Sequence, residues 1–415
     1  MQRSMGYLSI LRRRFELRLS FFSLMMILSG TLSAACADSS DYMLGIFGNA
    51  NMDDTIDEKD VAYVEGVIKG TIAATNLSDA NYDGKINSLD IDRIKEIMDG
   101  EEKELTVKMY TRLSRGSTEI TEIPVTIHKP VERIVPTSPY LVVIMRALKL
   151  EKDRIIGVDK DIKDADAYFP EFSELPIVSS DDYEAILSLN PDLVIVPTSG
   201  FEESAKKLPG VTIVAFDCWR PEIQVDEIRR LGYILDKEDE AEEFIDFYNG
   251  VMNKINDTVE EILVKERPKI YFESGTSYST GAKGSGYHDK VTMAGGDNIF
   301  GDLSDYPKVD PEEVMKRNPG IIVKFVRDLG GYNYYLGTNG TELTDARTEI
   351  LSRPELAEVE AVKNGQVYVT TGDIVGATRH FIGMAYMAKW FYPDLFKDLD
   401  PKAIHKEYLT RFQGL

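Results

Sequence analysis

The hydrophobic positions of residues 104–415 form short continuous apolar runs, separated by segments in which apolar residues recur at every third or fourth position. Apolar runs joined by helical segments predict parallel strands that are covered on both faces. The runs form two sets, and the pattern therefore predicts an α/β fold that occurs twice. The predicted strands are 133–135, 155–158, 192–196 and 212–216 in the first set, and 269–273, 321–326 and 366–369 in the second.

A continuous helical pattern lies between the two sets, over residues 237–265. Apolar residues follow the helical period from Ala241 to Leu263, and the segment contains no proline and a single glycine. At 1.5 Å per residue the pattern predicts a helix of about 40 Å. We therefore expect an N-lobe over 104–236 and a C-lobe over 266–415, joined by this one long helix.

The chain of 415 residues carries a net charge of −22, from 48 Lys and Arg against 70 Asp and Glu. This balance argues against nucleic acid as a partner, because phosphates are bound through basic surfaces. The chain has two cysteines, Cys36 and Cys218. So few cysteines exclude a disulfide framework and a cysteine-rich zinc site.

Residues 1–37 have the pattern of an export signal. Basic residues precede an apolar run from Leu19 to Leu32, and small residues follow it. The run has about 14 residues, whereas a helix needs about 20 to span a bilayer. We expect a secreted or extracytoplasmic protein, at the cell surface or membrane-anchored. Cys36 fits the lipidated residue of a lipoprotein signal; cleavage without lipidation and an uncleaved anchor are the alternatives.

Residues 38–102 hold 16 acidic against 5 basic side chains, and this charge density favours a bound cation. In the loop 79–90, oxygen-bearing side chains occupy positions 1, 3, 5, 9 and 12, with glycine at position 6. This spacing is typical of calcium loops, in which position 7 binds through its carbonyl. The loop 49–60 repeats the pattern with Asn for the first acid and Asp54 in place of glycine, so we expect weaker binding there. The predicted calcium ligands are Asn49, Asn51, Asp53, Thr55, Asp57 and Asp60 in the first loop, and Asp79, Asn81, Asp83, Lys85, Asn87 and Asp90 in the second.

The duplicated loop-plus-helix pattern of residues 42–100 resembles the dockerin family. Both loops end in Asp, where an ordinary EF-hand has a longer Glu, and neither loop has a clear preceding helix. The resemblance implies a small all-α, EF-hand-like domain that binds calcium and docks into a cohesin domain of another protein. Alternatively, calcium only stabilises a domain that is too small to hold a core alone.

Four motifs of residues 104–415 resemble the substrate-binding proteins of iron-siderophore and cobalamin ABC transporters. They are Lys-Pro-Val-Glu-Arg-Ile-Val at 129–135, the paired Glu-x6-Pro segments 184–191 and 312–319, Met-Ala-Gly-Gly-Asp-Asn-Ile at 293–299 and Lys-Asn-Gly-Gln-Val-Tyr at 363–368. The resemblance implies two pseudo-symmetric lobes of the class III periplasmic-binding-protein type, with the ligand in the cleft between them. It also implies that Glu184 and Glu312 pair with arginines of a membrane permease, which works together with an ATPase. From the residues alone, both are ordinary carboxylates at helix starts.

Ligands of open α/β sheets lie beyond the carboxyl ends of the strands, so we expect cargo contacts in the loops that follow them. Aromatic faces, hydroxyls and a guanidinium suit a bulky metal chelate. Each such residue has an alternative role in the core or in a surface ion pair. The expected ligand residues are Tyr140, Ser199, Trp219, Tyr278, His288, Arg379 and His380.

No nucleophile and base stand in a recognisable pattern, so we expect a binding protein and not an enzyme. The expected function is the solute-binding component of an ABC importer that captures a ferric-siderophore-type chelate, tethered through its calcium-binding segment. Cobalamin, another corrinoid or haem are alternative cargoes. A cell-surface scaffold or adhesion component without a transport role is the rival from another class, and an enzyme on the same architecture is a further one.

Overall fold

The computed structural model describes residues 43–112, 120–326 and 341–415. The predicted export signal and Cys36 lie outside these residues. Residues 42–415 form one compact unit. Within the described ranges, no helix has the length and apolar character needed to cross a bilayer.

The unit begins with two loop–helix pairs, which we call the N-terminal module (residues 43–100). The loop 49–60 leads into α1 (Glu58–Ile68), and the loop 79–90 leads into α2 (Ser88–Asp99). Asp57 and Asn87 cap these helices, because their side chains accept hydrogen bonds from backbone N–H groups of the first turn. Such caps satisfy donors that have no partner inside the helix.

An antiparallel hairpin that the sequence did not predict follows the module. Its strands are β1 (Glu104–Thr111) and β2 (Thr121–His128). The module segment 45–47 lies along β1: the Phe47 N–H donates to the Thr106 carbonyl at 3.0 Å, and the Lys108 N–H donates to the Gly45 carbonyl at 2.6 Å. Ile46 of the module and Val107 of β1 are both buried in one hydrophobic core. The module and the N-lobe are therefore continuous in both hydrogen bonding and packing.

The N-lobe contains a parallel sheet of three strands in the order β3, β4, β5. The predicted strand 155–158 contributes only isolated bridges, between Ile155 and Ile134 and between Val158 and Ile177. The strands are β3 (Ile134–Pro136), β4 (Leu193–Val196) and β5 (Thr212–Ala215), and the helices are α3 (Pro139–Ala147), α4 (Lys160–Asp164), α5 (Tyr183–Ser188), α6 (Phe201–Lys207) and α7 (Gln224–Leu235).

The long helix predicted between the lobes is α8 (Glu238–Glu260). Its 23 residues correspond to about 35 Å, and its buried face includes Phe244, Tyr248 and Met252. It is shorter than predicted because the chain turns after Glu261 and continues as a 3-10 turn at Val264–Glu266. The periodic apolar residues therefore continue slightly beyond the helix itself.

The C-lobe contains a parallel sheet of four strands in the order β7, β6, β8, β9. With the N-lobe sheet, it confirms the predicted α/β class. The strands are β6 (Lys269–Ser274), β7 (Asp297–Asn298), β8 (Ile321–Val326) and β9 (Val367–Thr371), and the helices are α9 (Tyr287–Met293), α10 (Pro311–Arg317), α11 (Thr341–Leu351), α12 (Glu360–Lys363), α13 (Gly372–Val375), α14 (His380–Phe391) and α15 (Pro401–Glu407).

Candidate functional site

A cavity of about 390 Å³ opens beyond the carboxyl ends of β3, β4 and β5. This is the position at which open α/β sheets bind ligands, and the volume falls in the range of small-molecule sites. The cavity lining includes Thr137, Ser138 and Tyr140 after β3, Thr198, Ser199 and Gly200 after β4, and Asp217 and Trp219 after β5.

Three of the predicted ligand residues, Tyr140, Ser199 and Trp219, are brought together in this lining. Trp219 also reaches the C-lobe. The ammonium group of Lys290 on α9 lies 5.8 Å from the centroid of its indole ring, and a Cβ atom added at Gly286 would lie 3.1 Å from the ring. Burial lowers the pKa of Lys290 to about 8. Trp219 thus belongs to the cavity wall and also contacts the second lobe.

The structure places the other four predicted ligand residues outside this lining. Their side chains contact other parts of the fold. His380 Nε2 lies 3.2 Å from the Tyr248 hydroxyl of α8, Arg379 Nη1 donates to the Tyr168 hydroxyl at 3.4 Å, His288 Nδ1 lies 3.3 Å from Asn298 Nδ2, and the Tyr278 hydroxyl donates to Glu355 at 2.5 Å.

The cavity has an acidic lining. Asp181, Glu203 and Asp217 contribute carboxylates, and Arg112 is the one Lys or Arg among the described lining residues. The remaining polar groups of the lining are mainly hydroxyls of Ser, Thr and Tyr. This arrangement suits a ligand that donates hydrogen bonds more than one that carries several negative charges.

The turn after β5 is held by residues that the sequence did not single out. Buried Glu227 of α7 accepts hydrogen bonds from the backbone N–H groups of Asp217 at 2.9 Å and of Cys218 at 2.6 Å. Cys218 has a φ of 48°, in the left-handed region that costs a non-glycine residue free energy. Burial, and then the charge of Asp217, raise the pKa of Glu227 to about 8. Glu227 therefore fixes a strained turn whose neighbours line the cavity.

Asp217 in turn holds the adjacent wall of the cavity. Its carboxylate accepts hydrogen bonds from the Thr198 hydroxyl at 2.9 Å and from the Thr198 N–H at 3.1 Å. An acid directly after a predicted strand is a signal that sequence reasoning could have used. Glu227 gives no such signal, because it acts on the backbone of a turn from a different element.

Glu184 and Glu312 are both exposed, in the first turns of α5 and α10. Neither carboxylate has an ion pair among the described residues. Glu313, next to Glu312, differs because it lies 3.1 Å from Lys316 and 3.7 Å from Arg317. Glu184 and Glu312 are thus exposed carboxylates without an ion pair among the described residues.

The two acidic loops of the module place their position-12 residues alike. The buried Asp60 carboxylate accepts the N–H groups of Asn51 and Asp57, and the buried Asp90 carboxylate accepts those of Asn81 and Asn87. Burial raises the pKa of both aspartates. Neither aspartate forms a salt bridge with a Lys or Arg in the described part of the chain.

Asn49, at position 1 of the first loop, is fully buried, and its Oδ1 atom accepts no hydrogen bond within the described residues. Buried oxygens usually have a partner, and a cation is one that could serve Asn49 Oδ1. Across residues 43–112, 120–326 and 341–415, however, no three His, Cys, Asp or Glu side chains converge as a metal site. A calcium ion in these loops would therefore also use amide, hydroxyl and carbonyl oxygens, which calcium accepts.

Residues 152–374, more than half of the chain, match the family model described as periplasmic binding protein. The chain belongs to the periplasmic binding protein family. A TroA-like periplasmic binding protein, FepB, from Veillonella parvula has a similar structure: 26% identity, a TM-score of 0.60, and coverage of 70% of this chain and 93% of that one. A solute-binding protein from Sulfurospirillum deleyianum shares the fold at 18% identity and a TM-score of 0.57, over 71% of this chain and 93% of that one.

Curated relatives of this periplasmic binding protein are named for a corrinoid. A cobalamin-binding protein of Halobacterium salinarum is 23% identical over 272 residues, which cover 62% of this chain and 66% of the relative. A vitamin B12-binding protein of Salmonella typhimurium is 27% identical over 164 residues, which cover 38% of this chain and 60% of the relative. The chain thus spans just under two thirds, or less, of the length of these relatives. The printed names of these relatives are those of binding proteins.

Proposed function

We propose that this periplasmic binding protein is the extracytoplasmic solute-binding component of an ABC importer. The observation that carries the proposal is the family match on a chain whose cavity opens beyond the carboxyl ends of the N-lobe strands. The cargo would lie on Tyr140, Ser199 and Trp219, between this cavity and the C-lobe. Glu184 and Glu312 would then dock the cargo-bound protein on the permease, which works with its ATPase.

We propose a corrinoid as the cargo, in preference to the ferric siderophore expected from the sequence. Ferric siderophores of the catecholate type and haem bring negative charge, which the three carboxylates of the lining oppose. A corrinoid instead has a rim of carboxamide groups, which donate hydrogen bonds to carboxylates and hydroxyls, and a broad apolar ring that packs on aromatic side chains. The names of the curated relatives support the same choice.

The test is isothermal titration of the chain from residue 38, with calcium, against cyanocobalamin, a ferric catecholate siderophore and haem. We expect saturable binding of cyanocobalamin and about tenfold weaker binding by Trp219→Phe, since the smaller ring loses stacking area. Trp390→Phe is the matched control, because Trp390 stacks on Tyr368 at 4.7 Å and does not line the cavity. Binding of the siderophore alone would overturn the corrinoid proposal, and binding of none would overturn the importer proposal.

We also propose that both loops of the module bind calcium through the residues predicted from the sequence. The unpartnered Oδ1 atom of Asn49 and the buried carboxylates of Asp60 and Asp90 support this proposal. When bound, the ion would supply the positive charge that these buried oxygens otherwise lack. Lys85 would contribute its carbonyl and not its side chain.

The module would in addition tether the chain to a cohesin-domain protein, as its resemblance to dockerins implies. Tyr82 and Leu89 of the second loop are large apolar side chains exposed on the module surface and are available for such a contact. Calcium-dependent binding of the chain to a purified cohesin domain, lost in chelator, would support the tether. Absence of binding to a panel of cohesin domains would favour calcium as a purely structural ion.

A further inference from the structure

The helices that carry Glu184 and Glu312 are built alike. Each follows an Asp that caps its first turn, Asp182 for α5 and Asp310 for α10. Each is also followed by an Asn-Pro pair whose Asn is in the left-handed region, with φ 49° at Asn190 and 46° at Asn318. The paired Glu-x6-Pro segments of the two lobes are therefore similar in backbone conformation as well as in sequence.

The two paired segments also carry exposed apolar side chains at matching positions. Leu187 and Met315, each three residues after its glutamate, are 43% and 37% exposed. On a helix, residues three apart lie on the same face. Each lobe thus presents an exposed carboxylate beside an exposed apolar side chain, and we call each such pair a docking patch.

One residue between the members of each patch is buried in the fold. Ile186 and Val314 occupy matching positions and are both buried. Their burial fixes the rotation of α5 and α10, so that both docking patches face solvent. A single exposed Leu or Met needs no explanation. Here, however, two exposed apolar side chains occupy matching positions of a repeat, and each lies beside a carboxylate without an ion pair. This repetition indicates a shared role.

We propose that Leu187 and Met315 are contact residues of a two-part interaction surface. The proposal rests on the proposed function and identifies the partner by its chemistry: a permease of two like halves, each offering an apolar pocket beside an Arg or Lys. Exposed ion pairs alone contribute little to binding in water, because solvent and salt screen them. An apolar anchor buried beside the pair excludes water and strengthens the contact.

The experiment measures binding of the full chain, without added cargo, to its permease–ATPase complex in lipid nanodiscs by surface plasmon resonance. We expect Leu187→Ser and Met315→Ser each to weaken binding about fivefold, and the double variant about 25-fold, because the two sites are separate. Glu184→Gln combined with Glu312→Gln tests the docking carboxylates in the same assay. Leu263→Ser and Leu395→Ser are the controls, since both residues are more exposed, at 55% and 57%, and lie outside the repeat.

The outcomes separate the inference from the proposed function. Loss of binding in the glutamate variants with full binding in the Leu187 and Met315 variants would overturn the inference and leave the proposed function intact. No effect in either set would overturn both docking roles. Equal losses in the Leu263 and Leu395 controls, or a loss confined to one lobe, would also overturn a two-part apolar surface.

Discussion

Trp219 lines the cavity and contacts the C-lobe, and its position depends on the preceding turn. Cys218 holds a left-handed conformation, and Glu227 accepts hydrogen bonds from two consecutive N–H groups of that turn. The cost of the strained residue is offset by these bonds. Glu227 is therefore a positioning residue for the turn that carries Asp217 and Trp219, the side chains that would contact the proposed cargo.

We expect Glu227→Gln to weaken cargo binding about tenfold and to lower the free energy of unfolding by about 1–3 kcal/mol, because its NH₂ group faces a backbone N–H that then has no acceptor. Titration calorimetry and chemical denaturation measure the two effects. Adding Cys218→Gly, which relieves the left-handed strain, should restore part of the affinity. Unchanged affinity with reduced stability would show that Glu227 has only a structural role.

The raised pKa of Glu227 predicts that the stability of the fold depends on pH. The pKa of Glu227 is raised in the folded chain to about 8, above that of an exposed Glu, so the folded state retains a proton that the unfolded state has already lost. Its contribution to stability is therefore greatest at low pH and declines as the pH rises from about 5 to 8. Denaturation of the wild type and of Glu227→Gln across this range should show a weaker decline in the variant. Parallel curves would contradict the assignment.

The site illustrates which residues a sequence can reveal. Tyr140, Ser199 and Trp219 line the cavity because they follow strands, and ligands of this fold class lie beyond strand ends. His288 and His380 satisfy similar rules but fold back against Asn298 and Tyr248. The side-chain type gives the chemistry, whereas its orientation depends on contacts with distant parts of the chain.

At the scale of elements, the apolar pattern located α8 and the strands β3 to β6, β8 and β9, because each is defined by local sequence. The predicted strand 155–158 forms only isolated bridges, and the two-residue strand β7 was not predicted. The hairpin of β1 and β2 was missed. Its two strands are stabilised by pairing with each other, and β1 also pairs with residues 45–47. Alternation of apolar and polar residues in β1 was the available signal. Its partner along residues 45–47 lies some 60 positions earlier and could not be read locally.

The loops 49–60 and 79–90, for which we proposed calcium binding, give a testable prediction at the scale of elements. We expect Asp90→Asn to lower calcium affinity at least tenfold and Asp60→Asn to have a smaller effect, because the first loop already lacks the position-1 acid and the position-6 glycine. Calcium titration and the melting temperature in calcium and in chelator are the measurements. Asp92→Asn, an exposed acid of α2 outside the predicted ligand set, is the control. Equal loss in the control would indicate a general charge effect.

At the scale of the whole molecule, the N-terminal module is part of the N-lobe core and not an appended domain. Its segment 45–47 pairs with β1, and Lys129 joins buried Glu102, which directly follows the module, to Asp236, the C-cap residue of α7. Calcium bound at the module would therefore stabilise the lobe that holds the cavity. Binding that favours the folded state raises its stability by mass action.

We expect calorimetric unfolding of the intact chain to show the module and the N-lobe melting together, at a temperature that calcium raises. A chain that begins at residue 104 should be markedly less stable and should aggregate, because β1 loses its neighbour and Val107 becomes exposed. Intact lobes with unchanged cargo affinity after this truncation would show that the module is independent.

The matched docking patches leave the chain with two nearly equivalent ways to approach a two-fold symmetric partner, related by a half-turn. The patches differ in their flanking residues: Ser188 and Leu189 beside one correspond to Lys316 and Arg317 beside the other. If the partner ignores these charges, both orientations are productive and the fraction of successful encounters doubles. If the partner contacts Lys316 and Arg317, these two basic residues favour one of the two orientations. Each lobe then always binds the same half of the importer.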